Sequence, residues 1–186
     1  MTTIYIMRHG TTCWNEIHKC QGWSKTRLSK TGKQFVYQTA EQNANTHFDL
    51  IIASPIMRAM QTANIVKSKN TSKGLKIIRD YRIAEIVEGD FVGKIRTKLE
   101  GQEKKDFDAR SKRYSMETWK ECYDRTTDFI KEVLEKYKGK SVLIVSHDTP
   151  ATLIEDYILG KNVDYEHYTY ERNFGNAEMR KYVIED

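Results

Sequence analysis

The 186-residue chain is predicted to fold as an α/β sandwich, with helices on both faces of a mostly parallel sheet. Two patterns carry that prediction. Short apolar runs rich in β-branched residues, the mark of strands buried on both faces, recur at residues 3–8, 49–54, 75–80 and 141–147. Between them, over residues 31–45, 55–69 and 116–138, the pattern is helical. Strands that alternate with helices build a three-layer α/β/α sandwich.

The first strand, "TIYIMR", runs directly into His9 and Gly10. The second, "DLIIAS", leads through Ser54 and Pro55 into the helix over 55–69. Ser54 suits an N-cap, and Pro55 suits the first helical position, where a missing N–H costs nothing. "LKIIRD" is the third strand, and residues 94–115 are too polar to read as more than a partly helical insertion. The helix over 116–138 has the clearest face, built from residues such as Trp119, Cys122, Phe129, Ile130 and Val133, with Gly139 as its stop. "SVLIVSH" repeats the earlier junction, with Thr149 as the N-cap and Pro150 opening a helix. The tail "AEMRKYVIE" alternates, as an added antiparallel edge strand would. With no repeat, low-complexity stretch or proline-rich linker, residues 1–186 read as a single domain.

Composition narrows the function classes. A hydrophobic fraction of 39% and a charged fraction of 31% suit a globular protein with a solvated surface. No apolar run approaches the roughly 20 residues that span a bilayer. Arg8 and His9 interrupt the N-terminal apolar stretch before it resembles a signal peptide, so the expected location is cytoplasmic, with no membrane partner. Cys13, Cys20 and Cys122 are odd in number and lack a metal-ligand spacing, which fits reduced thiols. The net charge of +5 is spread over stretches such as 67–76 and 94–113 among acidic residues. It reads as a solvated surface that steers small anions, with no nucleic-acid partner.

Both proline junctions place a helix N-terminus at the carboxyl edge of the sheet, where anions and ligands bind. Arg8, His9, Arg58 and His147 are expected to meet at that edge. Two guanidiniums and two imidazoles around one point suit a dianionic phosphate. One imidazole, if neutral, serves as a nucleophile on phosphorus. The other, protonated, neutralises charge on the equatorial oxygens, and no metal is required. His18, His47 and His167 sit at no strand–helix junction and read as surface residues.

"RHGTTCWN" followed by "KCQG" resembles the signature of the histidine phosphatase superfamily, which includes the cofactor-dependent phosphoglycerate mutases. The matched positions are Arg8, His9, Gly10, Thr12, Trp14, Asn15, Gln21 and Gly22. Further blocks follow in family order: Ser54, Arg58, Ala59, Thr62 and Ala63; then Glu85, Gly89 and Gly93; then Ser146 and His147. The resemblance implies the histidine phosphatase fold and a phosphohistidine mechanism. It makes His9 the nucleophile, Arg8, Arg58 and His147 the ligands of the transferring group, and Glu85 the proton donor. Asn15 adds a hydrogen bond, and Gln21 and Gly22 belong to the phosphate-binding set. Glu88 is the rival proton donor and reads as a solvent-exposed loop carboxylate.

The chain departs from the family pattern in three places. Thr11 replaces a usual glutamate, and Lys25 and Arg27 add charge to the substrate loop. Asp148 follows the second histidine, where it would pair with His147 or Arg58 or cap the helix. The interval from Gly93 to Ser141 leaves little chain for a lid, which favours a phosphatase acting on a small phosphorylated metabolite. Lys98, Arg110 and Arg113 within it read as solvated charges. The alternatives are a mutase, which would need 2,3-bisphosphoglycerate as a primer, and a phosphate-dependent binding or scaffold protein. A homodimer stays open.

Overall fold

Along the chain come β1 (Thr2–Arg8), α1 (Cys13–Glu16), α2 (Lys30–Gln42), β2 (Leu50–Ala53), α3 (Met57–Lys69) and β3 (Ile77–Arg79). Then follow α4 (Gly101–Asp108), α5 (Trp119–Lys136), β4 (Ser141–Ser146), α6 (Asp148–Ile158) and β5 (Met179–Ile184). This is a computed structural model, and it describes residues 1–165, 168 and 174–185. The strands form one sheet in the order β3-β2-β4-β1-β5. All neighbours are parallel except β1 and β5, so the alternating tail is an antiparallel edge.

Strand alternation divides the apolar side chains between two layers. Ile4, Ile6, Ile52, Val142 and Ile144 pack against Phe129, Ile130 and Val133 of α5 and Ala151 and Ile154 of α6. Met7, Ile51, Ala53, Leu143 and Val145 face the other way, onto Val36 and Ala40 of α2 and Ala59, Ala63 and Val66 of α3. Both faces are covered, as the uninterrupted apolar runs require. Thr118 and Glu121 form a capping box that fixes where α5 begins. Arg8 of β1 is in register with Ser146 of β4, and Ala53 of β2 with Val145, so three strands end together at one edge.

Both helix starts differ from the sequence reading. α3 begins at Met57, with Ile56 as an N-cap that has no side-chain bond, so Pro55 precedes the helix. The Ser54 hydroxyl instead accepts from the Ile56 amide at 3.3 Å and contacts His147. α6 begins at Asp148 with His147 as its N-cap residue, which places Pro150 third in the helix. That position is still in the first turn, where an N–H has no intrahelical partner, so the proline remains harmless.

Within residues 94–115, two 3-10 turns (Arg96–Lys98 and Lys112–Tyr114) flank α4. A small apolar cluster of Cys20, Phe91, Leu99, Phe107 and Met116 ties this segment to the loop after α1. No helix among the described residues is long and apolar enough to cross a membrane.

Candidate active site

His9 leaves the end of β1 with its amide donating to the Ser146 carbonyl at 3.0 Å. Its ring is 1% exposed, and Nδ1 lies 2.7 Å from the Gly10 carbonyl. A carbonyl only accepts, so the proton sits on Nδ1 and Nε2 keeps a lone pair. The Arg58 Nε–H donates to that nitrogen at 3.1 Å. Helix α3 delivers Arg58, and the loop after α1 catches its guanidinium: it donates to the Gly22 carbonyl at 2.8 Å, to Thr26 Oγ1 at 3.3 Å and to the Ser24 carbonyl at 3.4 Å. Burial pushes its pKa down to about 10, partly offset by Glu85 and Glu88, so it stays charged at neutral pH. Among the described residues it makes no ion pair. A buried guanidinium held by neutral acceptors, one of them an imidazole nitrogen, is a cation prepared for an anion.

His147 stands beside His9, their ring centroids 5.1 Å apart at 65°. Its Nε2 lies 2.7 Å from Ser54 Oγ. Either atom can donate in this contact, because a hydroxyl carries one hydrogen and two lone pairs and the Ile56 amide occupies only one of the latter. Buried Nδ1 has no hydrogen-bond partner and lies 3.9 Å from Glu85 Oε2. Burial first, then the charges of Arg58, His9 and Arg8, hold the ring's pKa well below the ordinary value. The second imidazole is therefore held toward its neutral form, and the sequence reading gives it a proton only as charge builds on the equatorial oxygens.

Burial also pushes the Glu85 carboxyl up to about 7, against the lowering effect of Arg58 and with a further push from Glu88. Glu88 is a correction. It is 4% exposed and fully engaged, accepting from the Gly22 amide at 2.8 Å and from Arg96 at 3.1 Å. Asp148 pairs with Arg8 at 3.2 Å, and neither His147 nor Arg58 is its partner. The same carboxylate accepts the Phe174 amide at 3.2 Å, and Arg8 donates to the Phe174 carbonyl at 2.5 Å. The reason is registry, since Arg8 and Ser146 end neighbouring strands and Asp148 begins the helix just beyond.

Asn15 closes a capping box with Thr12 at the start of α1. The Gln21 side-chain oxygen accepts from the hydroxyls of Thr12 at 2.9 Å and Thr26 at 2.8 Å. Both residues line a cavity of about 490 Å³ that also exposes Arg8, His9, Gly22, Glu85 and Asp148. Its outer wall includes Arg96, Phe107 and Arg110 of the 94–115 segment, together with Trp119. Residues of the short insertion thus line the site. Arg110 is a second correction, being 3% exposed with Nε donating to the Glu117 carbonyl at 2.9 Å. Lys98, Arg113, Lys25 and Arg27 are exposed, as surface charges are. His18 is exposed yet lines the cavity, His47 pairs with Asp49, and His167 lies outside the described residues.

Comparison with known proteins agrees with this arrangement. A profile of the histidine phosphatase superfamily (branch 1) matches residues 4–185. A Bacillus subtilis protein named uncharacterized phosphatase PhoE is 34% identical over 154 residues, covering 79% of this chain and 72% of its own. Phosphoserine phosphatase 1 of Hydrogenobacter thermophilus is 28% identical over 171 residues, covering 86% and 77%. Relatives named as phosphoglycerate mutases also match. Among solved structures, Bacillus stearothermophilus YhfR superposes with a TM-score of 0.83 at 23% identity, over 100% of this chain and 92% of its own, which supports the fold. The chain belongs to the histidine phosphatase superfamily, branch 1.

Proposed function

We propose that this chain is a phosphatase that hydrolyses a small phosphomonoester through a phosphohistidine on His9, with no metal or other cofactor. One observation carries the reading: the Gly10 carbonyl fixes the His9 tautomer at 2.7 Å, leaving Nε2 as a nucleophile beside an unneutralised Arg58. In this mechanism the phosphoryl group enters between Arg8, Arg58 and His147. The Arg58 Nε–H moves from His9 to a phosphoryl oxygen, which releases the lone pair. Nε2 attacks phosphorus, the bond to the alcohol oxygen breaks, and the Glu85 carboxyl protonates the departing oxygen. The resulting Glu85 carboxylate then takes a proton from water as that water attacks the phosphohistidine, and inorganic phosphate leaves. A pKa of about 7 suits a group that must give and then take a proton near neutral pH. The incoming dianion offsets the positive field around His147 and raises its affinity for a second proton, which the ring takes up from solvent as phosphate binds, so it is cationic when the charge develops.

The phosphatase names among the relatives support hydrolysis. A mutase reading draws on the cavity, whose outer wall includes insertion residues that would exclude water, and it would need 2,3-bisphosphoglycerate as a primer. Incubation with phosphoglycerate separates the two, since the phosphatase releases inorganic phosphate and the mutase isomerises the substrate. His9→Ala is expected to abolish both p-nitrophenyl phosphate turnover and acid-labile phosphate labelling, and a labelled, active variant would refute the assignment. No turnover by the wild type between about pH 5 and 8 would favour a phosphate-dependent binding protein.

A further inference from the structure

Lining the same cavity is a carboxylate that the mechanism above leaves unused. Glu88 is 4% exposed, with Oε2 accepting the Gly22 amide at 2.8 Å and Oε1 accepting Arg96 at 3.1 Å. Each oxygen thus accepts a hydrogen bond, and the carboxylate joins the Gly22 backbone to Arg96. Gly22 continues the line, because its carbonyl accepts from Arg58 at 2.8 Å and Arg58 donates to His9 Nε2 at 3.1 Å. All three acceptors that hold the rest of the Arg58 guanidinium lie in residues 22–26. The angle at which the guanidinium meets His9 is therefore set by this loop as well as by α3. The loop turns at Gly22, whose φ is 42° and where a Cβ would come within 2.9 Å of Val92. Such a turn does not hold itself, and Glu88 anchors it from the far side.

We propose that Glu88 is a positioning residue, which tethers Gly22 so that its carbonyl aims the Arg58 guanidinium at His9 and at the phosphate that replaces the His9 contact. The inference rests on the reading of Arg58 and His9 as the phosphate site. A second consequence follows from charge. Facing Glu85 are the cations Arg58, Arg96, Arg110 and Arg125, the neutral His147, and the carboxylates Glu88 and Asp148. Glu88 helps keep Glu85 protonated, and Arg96 opposes it.

The test uses the full chain with Glu88→Gln and Arg96→Gln, read by calorimetric titration with inorganic phosphate, by the pH profile of alkyl phosphate hydrolysis followed as released phosphate, and by thermal unfolding. Glu88→Gln is expected to lose about tenfold in phosphate affinity and to move the alkaline limb of kcat/KM to lower pH. Arg96→Gln is expected to move that limb to higher pH. Added to Arg58→Lys, Glu88→Gln should cost no further phosphate affinity, because the tether acts through the Arg58 side chain. A folded Glu88→Gln protein with wild-type phosphate affinity and an unmoved limb overturns the proposal, whatever its melting temperature. If Glu88→Gln does not fold, an unmoved limb in Arg96→Gln overturns it. A wild type that binds phosphate without turnover would sink the phosphatase reading alone, and the affinity arm would still decide the role of Glu88.

Discussion

Gly32 offers a prediction in which sequence logic and structure disagree in sign. It lies in the first turn of α2, and in an ordinary helix Gly→Ala stabilises by about 1 kcal/mol. Here a Cβ at Gly32 would stand 1.9 Å from the Thr11 carbonyl oxygen and 2.7 Å from its carbon. That oxygen accepts the Ser29 amide at 2.9 Å, so it cannot turn aside without losing the bond that joins the loop after β1 to the start of α2. Forcing a methyl into such a contact costs about 1–3 kcal/mol, more than the helix gains. The net loss of up to about 2 kcal/mol lowers the melting temperature by up to roughly 8 °C in a chain of this size. The displaced segment is Arg8–His9–Gly10–Thr11, and a shift of about 1 Å at a reacting group costs on the order of 100-fold in rate. Gly32→Ala is therefore expected to melt earlier and to lose most of its kcat/KM for p-nitrophenyl phosphate while still folding. A variant that melts higher and turns over like the wild type would refute the reasoning.

The remaining predictions concern Glu85, the proposed proton donor, and its neighbours. In the wild type, kcat/KM should fall above about pH 7, where Glu85 loses its proton. Glu85→Gln should slow alkyl phosphates about 10²–10⁴-fold and activated aryl phosphates far less; equal slowing of both would give the role to another group. The same carboxyl affects folding. Its native pKa of about 7 exceeds the unfolded 4.5, so its contribution of about 3 kcal/mol is present below pH 4.5 and lost as pH rises through about 7. Denaturant titrations at pH 5 and about pH 8 should show that difference shrinking in Glu85→Gln. Ser54→Ala removes the partner of His147 Nε2 and should cost about 1–3 kcal/mol in stability, with weaker binding of inorganic phosphate; an unchanged phosphate titration would mean that the ring is held by packing alone.

The sheet was legible because its signals are local. The β1 and β4 runs have to be buried on both faces, and the Arg-His and Ser-His that end them arrive at one edge once the strands pair in parallel. Helix starts were less legible. Pro55 and Pro150 each suit a first helical position, but the Ser54 hydroxyl is occupied by His147, a contact between residues 93 apart that no local pattern announces. Charged residues misled most. Glu88 and Arg110 look like surface groups by type, and their burial depends on the Gly22 amide and the Glu117 carbonyl brought close by tertiary structure. Asp148 was seen as a neighbour of His147 along the chain, while strand registry gives it Arg8.

The lone cation at Arg58 has a price outside catalysis. Its charge is withdrawn from solvent, hydrogen-bonded among the described residues by two carbonyls, a hydroxyl and an imidazole, and only partly offset by Glu85 and Glu88, so an arriving oxyanion relieves the cost of burying it. Ligand occupancy and conformational endurance are thereby coupled: at a hundredfold excess over its dissociation constant, a bound oxyanion adds about 2.7 kcal/mol to the native state. The molecule is sturdiest in a medium rich in the product it would release, and a sulfate- and phosphate-free buffer is its harshest setting.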